Sequence, residues 1–116
     1  MLLRIDPTSD EPLFAQVAAS VRMDAAAGRL RPGDRLPAAR EVADALGVNL
    51  HTVLRAYQDL RDEGLVDMRR GRGAVVTDAV GPLAELHHDI RALADKARAL
   101  GLSSDTLASL VKENLS

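Results

Sequence analysis

The chain has no cysteine and no tryptophan, and only one tyrosine and one phenylalanine. The missing thiols exclude disulfide staples and cysteine nucleophiles, and they fit a reducing compartment. With aromatics at 2% of residues, Ala, Leu and Val must do the packing, and 47% hydrophobic content supplies enough of them. No apolar run is long enough to cross a membrane, so no membrane partner is expected. The opening Met1-Leu2-Leu3-Arg4 is too short and too soon charged for a signal peptide, which points to the cytoplasm. Nor is there an excess of one charge. The formal net charge is -2, which speaks against a high-affinity non-specific binder of polyanions.

Constellations for catalysis are equally scarce. His87 and His88 are adjacent, so on a helix they face different sides and make a poor metal pair, even with Glu85 and Asp89 nearby. Gly71-Arg72-Gly73 lacks the strand–loop–helix context and the Lys-Ser/Thr ending of a phosphate loop. No Ser, His and Asp grouping suggests a nucleophile triad. The sequence therefore predicts no enzyme, no metal and no cofactor.

What is present centres on residues 36–64, LPAAREVADALGVNLHTVLRAYQDLRDEG. A short helix, a tight turn at Gly47-Val48-Asn49 and a second helix fit this stretch. Val42, Leu46, Val48, Val53, Ala56, Tyr57 and Leu60 can share one core, while His51, Thr52 and Arg55 point away from it. Two helices joined this way form a helix-turn-helix. The charge is also unevenly placed. Residues 22–77 carry ten arginines against eight acids, and the segments before and after are each net acidic. Any DNA-binding face must then rest on local arginine placement.

Along the chain, residues 2–5 are expected to form a short strand. Pro12 suits the first turn of a helix, and Phe14, Val17, Ala18, Val21 and Ala25 recur with helical spacing from Leu13 to Ala27. Gly28 stops that helix. Pro32-Gly33 centres a turn, and Leu36 is a core residue on a short extended segment. The helix from Ala39 to Leu46 has no Ser, Thr, Asp or Asn cap at Ala38, so packing must secure it. Asn49 is a good N-cap for the next helix, over residues 50–63. Residues 65–68 and 74–77 read as two strands joined by Arg69-Arg70-Gly71-Arg72-Gly73, a basic hairpin. Helices followed by such a hairpin make a winged helix-turn-helix. Residues 78–82 read as a linker. Leu83, Leu86, Ile90 and Leu93 then form a helical stripe, and a last helix capped by Ser103 carries Leu107, Leu110 and Val111. Two short amphipathic helices bury too little surface alone, so this tail is expected to pack against a second copy.

Several polar residues suit DNA. The major groove admits a helix and presents base edges to its side chains. The N-terminus of the helix after Asn49 aims N–H groups outward. Thr52 and His51 lie in its first turn and Arg55 one turn later. Arg40 can reach the same groove from the preceding helix, and Arg35 suits a phosphate. Arg70 and Arg72 can enter a minor groove, with Gly71 letting the backbone approach. Blander roles stay open. Arg40 can pair with Glu41 or Asp44, Arg55 with Asp59 at i,i+4, and the hairpin tip can be merely solvated.

These motifs together resemble the GntR-type bacterial transcription regulators. The resemblance runs from Pro12 to Val76 through LRPGDRLPAAREVADALGV, TVLRAYQDLRDEGLV and RRGRGAVV. The phrase Asn-x-x-Thr-Val at residues 49–53, Ala56-Tyr57 and the short tail resemble its YtrA-like subgroup, whose members end in two dimerisation helices. The resemblance implies a homodimer on a palindromic double-stranded DNA operator, with repression as the usual outcome. It also implies that Arg40 reads a base, Arg35 holds a phosphate, Thr52 belongs to the recognition helix and Gly71 is the wing-tip glycine. The chain departs from the family pattern at Ala38, Leu50 and Leu54. The fold expected is mainly α with a small β-wing. A winged helix-turn-helix with an N-terminal strand should span residues 1–78, and a two-helix dimerisation tail residues 79–116. Any small-molecule effector must act at the dimer interface or near residues 78–82, since the chain has no room for a large ligand domain. The leading alternative is a protein-interaction module on the same scaffold, because fold does not fix function.

Overall fold

The computed structural model describes residues 3–116 and orders them as α1 (Leu13–Ala26), α2 (Ala39–Leu46), α3 (Leu50–Asp62), β1 (Val66–Arg69), β2 (Gly73–Val76), α4 (Val80–Ala99) and α5 (Ser104–Asn114). They form two compact units, one ending at residue 85 and the other spanning residues 86–116.

In the first unit, α3 packs against α1, α2 and β1. The apolar stripes read from the sequence meet there. Val17, Ala18 and Val21 of α1, Val42 and Ala43 of α2, and Val53, Ala56, Tyr57 and Leu60 of α3 are all buried in one core. Val66, Ala74 and Val76 of the strands close it. Leu46 and Val48, expected in the core, are half-buried at its edge.

Local chemistry sets the helix ends. Pro12 stands at the N-cap of α1 with φ -57, where a missing N–H costs nothing. No side chain caps α2 at Ala38, as its sequence predicts. Gly47 ends α2 in the left-handed region at φ 69, and Val48 N–H donates back to the Ala43 carbonyl at 3.0 Å. This bend lets α3 start at once. The Asn49 side chain then accepts from His51 N–H at 2.8 Å, which satisfies an orphan donor of α3.

β1 and β2 pair antiparallel with Val66 opposite Val76 and Arg69 opposite Gly73. Both strands lie within one residue of the expected spans. The free edge of β2 is covered by the extended segment around Leu36. Leu36 N–H donates to Ala74 O at 2.9 Å, Val76 N–H to Asp34 O at 2.8 Å, and Arg35 bridges Val75. A short edge covered in this way is protected from pairing with other chains.

Two expectations are corrected. Leu2 lies outside the described residues, and residues 3–5 form no strand. Their backbone is held by side chains of α1 instead. Arg4 N–H donates to Ser20 Oγ, which donates back to Arg4 O, and Asp6 N–H donates to Gln16 Oε1 at 2.6 Å. The predicted linker over 78–82 is mostly helix, since α4 begins at Val80. Pro82 is tolerated because the first turn of a helix needs no N–H donor there. Val80 is buried and Leu83 packs on the first unit's core, and that unit runs on to residue 85.

In the second unit, α4 ends at a tight turn. Leu102 N–H donates to Ala97 O at 3.0 Å around Gly101. Ser103 caps α5 by accepting from Thr106 N–H at 3.2 Å. Leu86, Ile90 and Leu93, spaced for one helix face, are exposed, as are Leu110 and Val111 of α5. Leu107 is half-buried.

Candidate nucleic-acid interface

The N-terminal turn of α3 is the centre of the candidate surface. His51 is exposed and Thr52 half-buried, so Thr52 stands less clear of the interior than its spacing suggests. Arg55, one turn on, is exposed. His51 and Arg55 are four residues apart and share a helix face. Arg40 is exposed on α2, Arg35 on the segment beside the wing, and Arg70, Gly71 and Arg72 at the wing tip.

Among the described residues, Arg35, Arg40, Arg55, Arg70 and Arg72 form no ion pair. The arginines that do pair are Arg22 with Glu63, Arg29 with Asp24, Arg61 with Asp62, Arg69 with Asp67 and Arg98 with Asp95. The division has a functional sense. Cations without a carboxylate nearby keep their donors for an anion from outside. Arg69 belongs to the paired set, at 3.9 Å from Asp67, so the hairpin tip carries two free guanidinium groups rather than three. Arg31, in the turn before, also lacks an ion pair, and the sequence offered no motif that singled it out.

Three contacts fix these groups in place. Tyr57 Oη donates to the Pro37 carbonyl at 2.7 Å, which ties α3 to the entry of α2. Burial, with a smaller push from the Glu41 carboxylate, raises the Tyr57 phenol to about 12, so it keeps its proton and its donor role. Arg35 Nε donates to the Arg72 carbonyl at 2.9 Å, so Arg35 holds the wing tip itself through one of its five N–H donors. The Arg55 guanidinium lies over the Phe14 ring, 3.7 Å from its centroid, instead of pairing with Asp59. Sequence reasoning found none of these partners, since each joins residues from separate elements. At the wing, Gly71 and Gly73 adopt φ 79 and 74, which the tight tip between Arg69 and Gly73 requires.

The first unit thus carries a capped helix start at α3, ion-pair-free arginines on α2 and α3, and a basic hairpin. Residues 13–76 match the family model described as bacterial regulatory proteins, gntR family. The chain belongs to the gntR family. This gntR-family regulator is 29% identical to the HTH-type transcriptional repressor YtrA of Bacillus subtilis, over 97% of this chain and 91% of that one. Its fold matches the solved structure of YtrA from Sulfolobus acidocaldarius, a GntR-family transcription factor, with TM-score 0.64 and 36% identity, covering 85% of this chain and 99% of the other. It also matches AraR(DBD) in complex with operator ORX1, with TM-score 0.57 and 30% identity, over 65% of this chain and 93% of that one. The chain is thus a transcription regulator rather than an enzyme. Among the described residues, no helix is long and apolar enough to cross a membrane.

Proposed function

We propose that this regulator is a repressor that binds a palindromic operator as a homodimer and occludes a promoter. The observation that carries the reading is the set of ion-pair-free arginines, Arg35, Arg40, Arg55, Arg70 and Arg72, around the Asn49-capped start of α3. In this reading α3 enters the major groove with His51 and Thr52 at base edges, and Arg40 reads a base beside them. Arg35 and Arg55 hold phosphates, and Arg70, Gly71 and Arg72 follow the adjacent minor groove. The relative solved with its operator supports this use of the fold.

The second copy joins through the tail. Leu86, Ile90, Leu93, Leu110 and Val111 are exposed on amphipathic helices, with Leu107 half-buried beside them, and a like surface on a twin would cover them. The paired recognition helices then sit about one DNA turn apart, roughly 34–36 Å, or a multiple of it. A small-molecule effector belongs to this reading as a ligand that favours one spacing of the pair over another. The reading also puts the protein in the cytoplasm, beside the chromosome it regulates.

The test is selection of bound duplexes from a random pool. Recovery of a two-fold symmetric sequence is expected, with half-sites set by that spacing. Failure to retain any duplex at low salt would sink the reading and favour a protein-interaction module on the same scaffold.

A further inference from the structure

We propose that Phe14 is a positioning residue, which holds the Arg55 guanidinium against α3 so that its edges meet a DNA phosphate. The inference rests on the reading above and extends it to a residue on α1 that no motif marks. Phe14 is the sole phenylalanine of the chain and is half-buried, with Arg55 stacked at 3.7 Å from its centroid. Asp59, the ordinary i,i+4 partner of Arg55, makes no ion pair with it. All five N–H donors of a guanidinium lie in its plane. Stacking occupies one face and leaves that plane free, whereas a carboxylate would consume the donors.

Two consequences follow. A long side chain loses rotamer freedom when it grips a ligand, and a stacked one has already lost much of it. The ring also comes from another helix, so the guanidinium is held on the flank of α3 that faces α1. A helix lying in the major groove presents its tip to the bases and its flank to the bordering strands, where phosphates line the groove.

The test uses the full chain and four variants: Phe14→Leu, Phe14→Tyr, Arg55→Ala, and Phe14→Leu with Arg55→Ala. In the free protein, the Arg55 Nε–H resonance should be shifted upfield by the ring, and Phe14→Leu should abolish the shift. Phe14→Leu should also weaken binding about two- to five-fold, on the selected operator and on an unrelated duplex alike, and make binding less salt-dependent. Phe14→Tyr should preserve shift and affinity. With Arg55 already Ala, Phe14→Leu should cost no further affinity. Melting curves identify a variant that has merely unfolded, and Phe14→Tyr, which keeps the ring and the packing, then decides the matter through the resonance. Equal losses from Phe14→Leu with and without Arg55 would overturn the proposal, as would an unshifted wild-type resonance. A loss confined to the operator would overturn the phosphate assignment in favour of a base. Failure of the wild type to bind any duplex would overturn the function and the phosphate role together, and the resonance distinguishes that failure from a missing stack.

Discussion

The Tyr57 hydroxyl and the Arg40 guanidinium represent two kinds of polar residue in this fold. Tyr57 is 2% exposed and spends its proton inside, on the Pro37 carbonyl. Replacing it with Phe leaves that carbonyl unpaired and should cost about 1 kcal/mol in chemical denaturation. A pH effect accompanies the bond. The phenol titrates near 10.0 when unfolded and about 12 when folded, so the unfolded chain loses its proton first. Its contribution is therefore full below pH 10 and lost as pH rises towards 12. Melting temperatures of wild type and Tyr57→Phe should run parallel up to pH 10 and converge above it; a constant gap would contradict the buried donor. Arg40 instead keeps its donors outside. Arg40→Ala should cost about 1–3 kcal/mol of discrimination between operator and unrelated DNA. Equal losses on both duplexes would assign it to a phosphate.

At the scale of elements, the bend at Gly47 and the wing decide where these groups point. Gly47 has φ 69 and open space where a Cβ would stand, so Gly47→Ala tests backbone conformation alone. The variant should lose roughly 1–2 kcal/mol of stability by thermal melting. The wing is braced from behind by Arg35, whose Nε holds the Arg72 carbonyl. Arg35→Ala and Arg72→Ala should each weaken DNA binding, and the double variant should lose less than their sum, because the first already loosens the second. Strict additivity would mean that the brace does not orient the wing. Much of this level was readable from the residues. Helical spacing of Val17, Val21, Val53 and Leu60, the Asn49 and Ser103 caps and the glycine at 47 are local signals with local causes. What escaped depends on partners distant in the chain. Residues 3–5 look like a strand, but the Arg4 backbone is bound by the Ser20 side chain, and the next backbone along, at Asp6, by Gln16. Pro82 looks like a break, yet the packing of Val80 and Leu83 on the core draws the helix past it. The seat of Arg55 on Phe14 exists only once α1 lies against α3.

For the whole molecule, the division at residue 85 says where the chain can be cut. A chain ending at Glu85 retains Val80 and Leu83, hence the complete first core, and should fold as a monomer in sedimentation. A persistent dimer would remove the tail from its proposed role. The exposed leucines of the tail reach further than the interface. A lone copy carries an oily surface that water disfavours, with Leu86 at 51% and Leu110 at 50% exposed. If twins must meet before the operator is gripped, occupancy at low abundance rises with the square of the amount of protein. Modest changes in synthesis or degradation would then switch the promoter more sharply than a single-copy binder could.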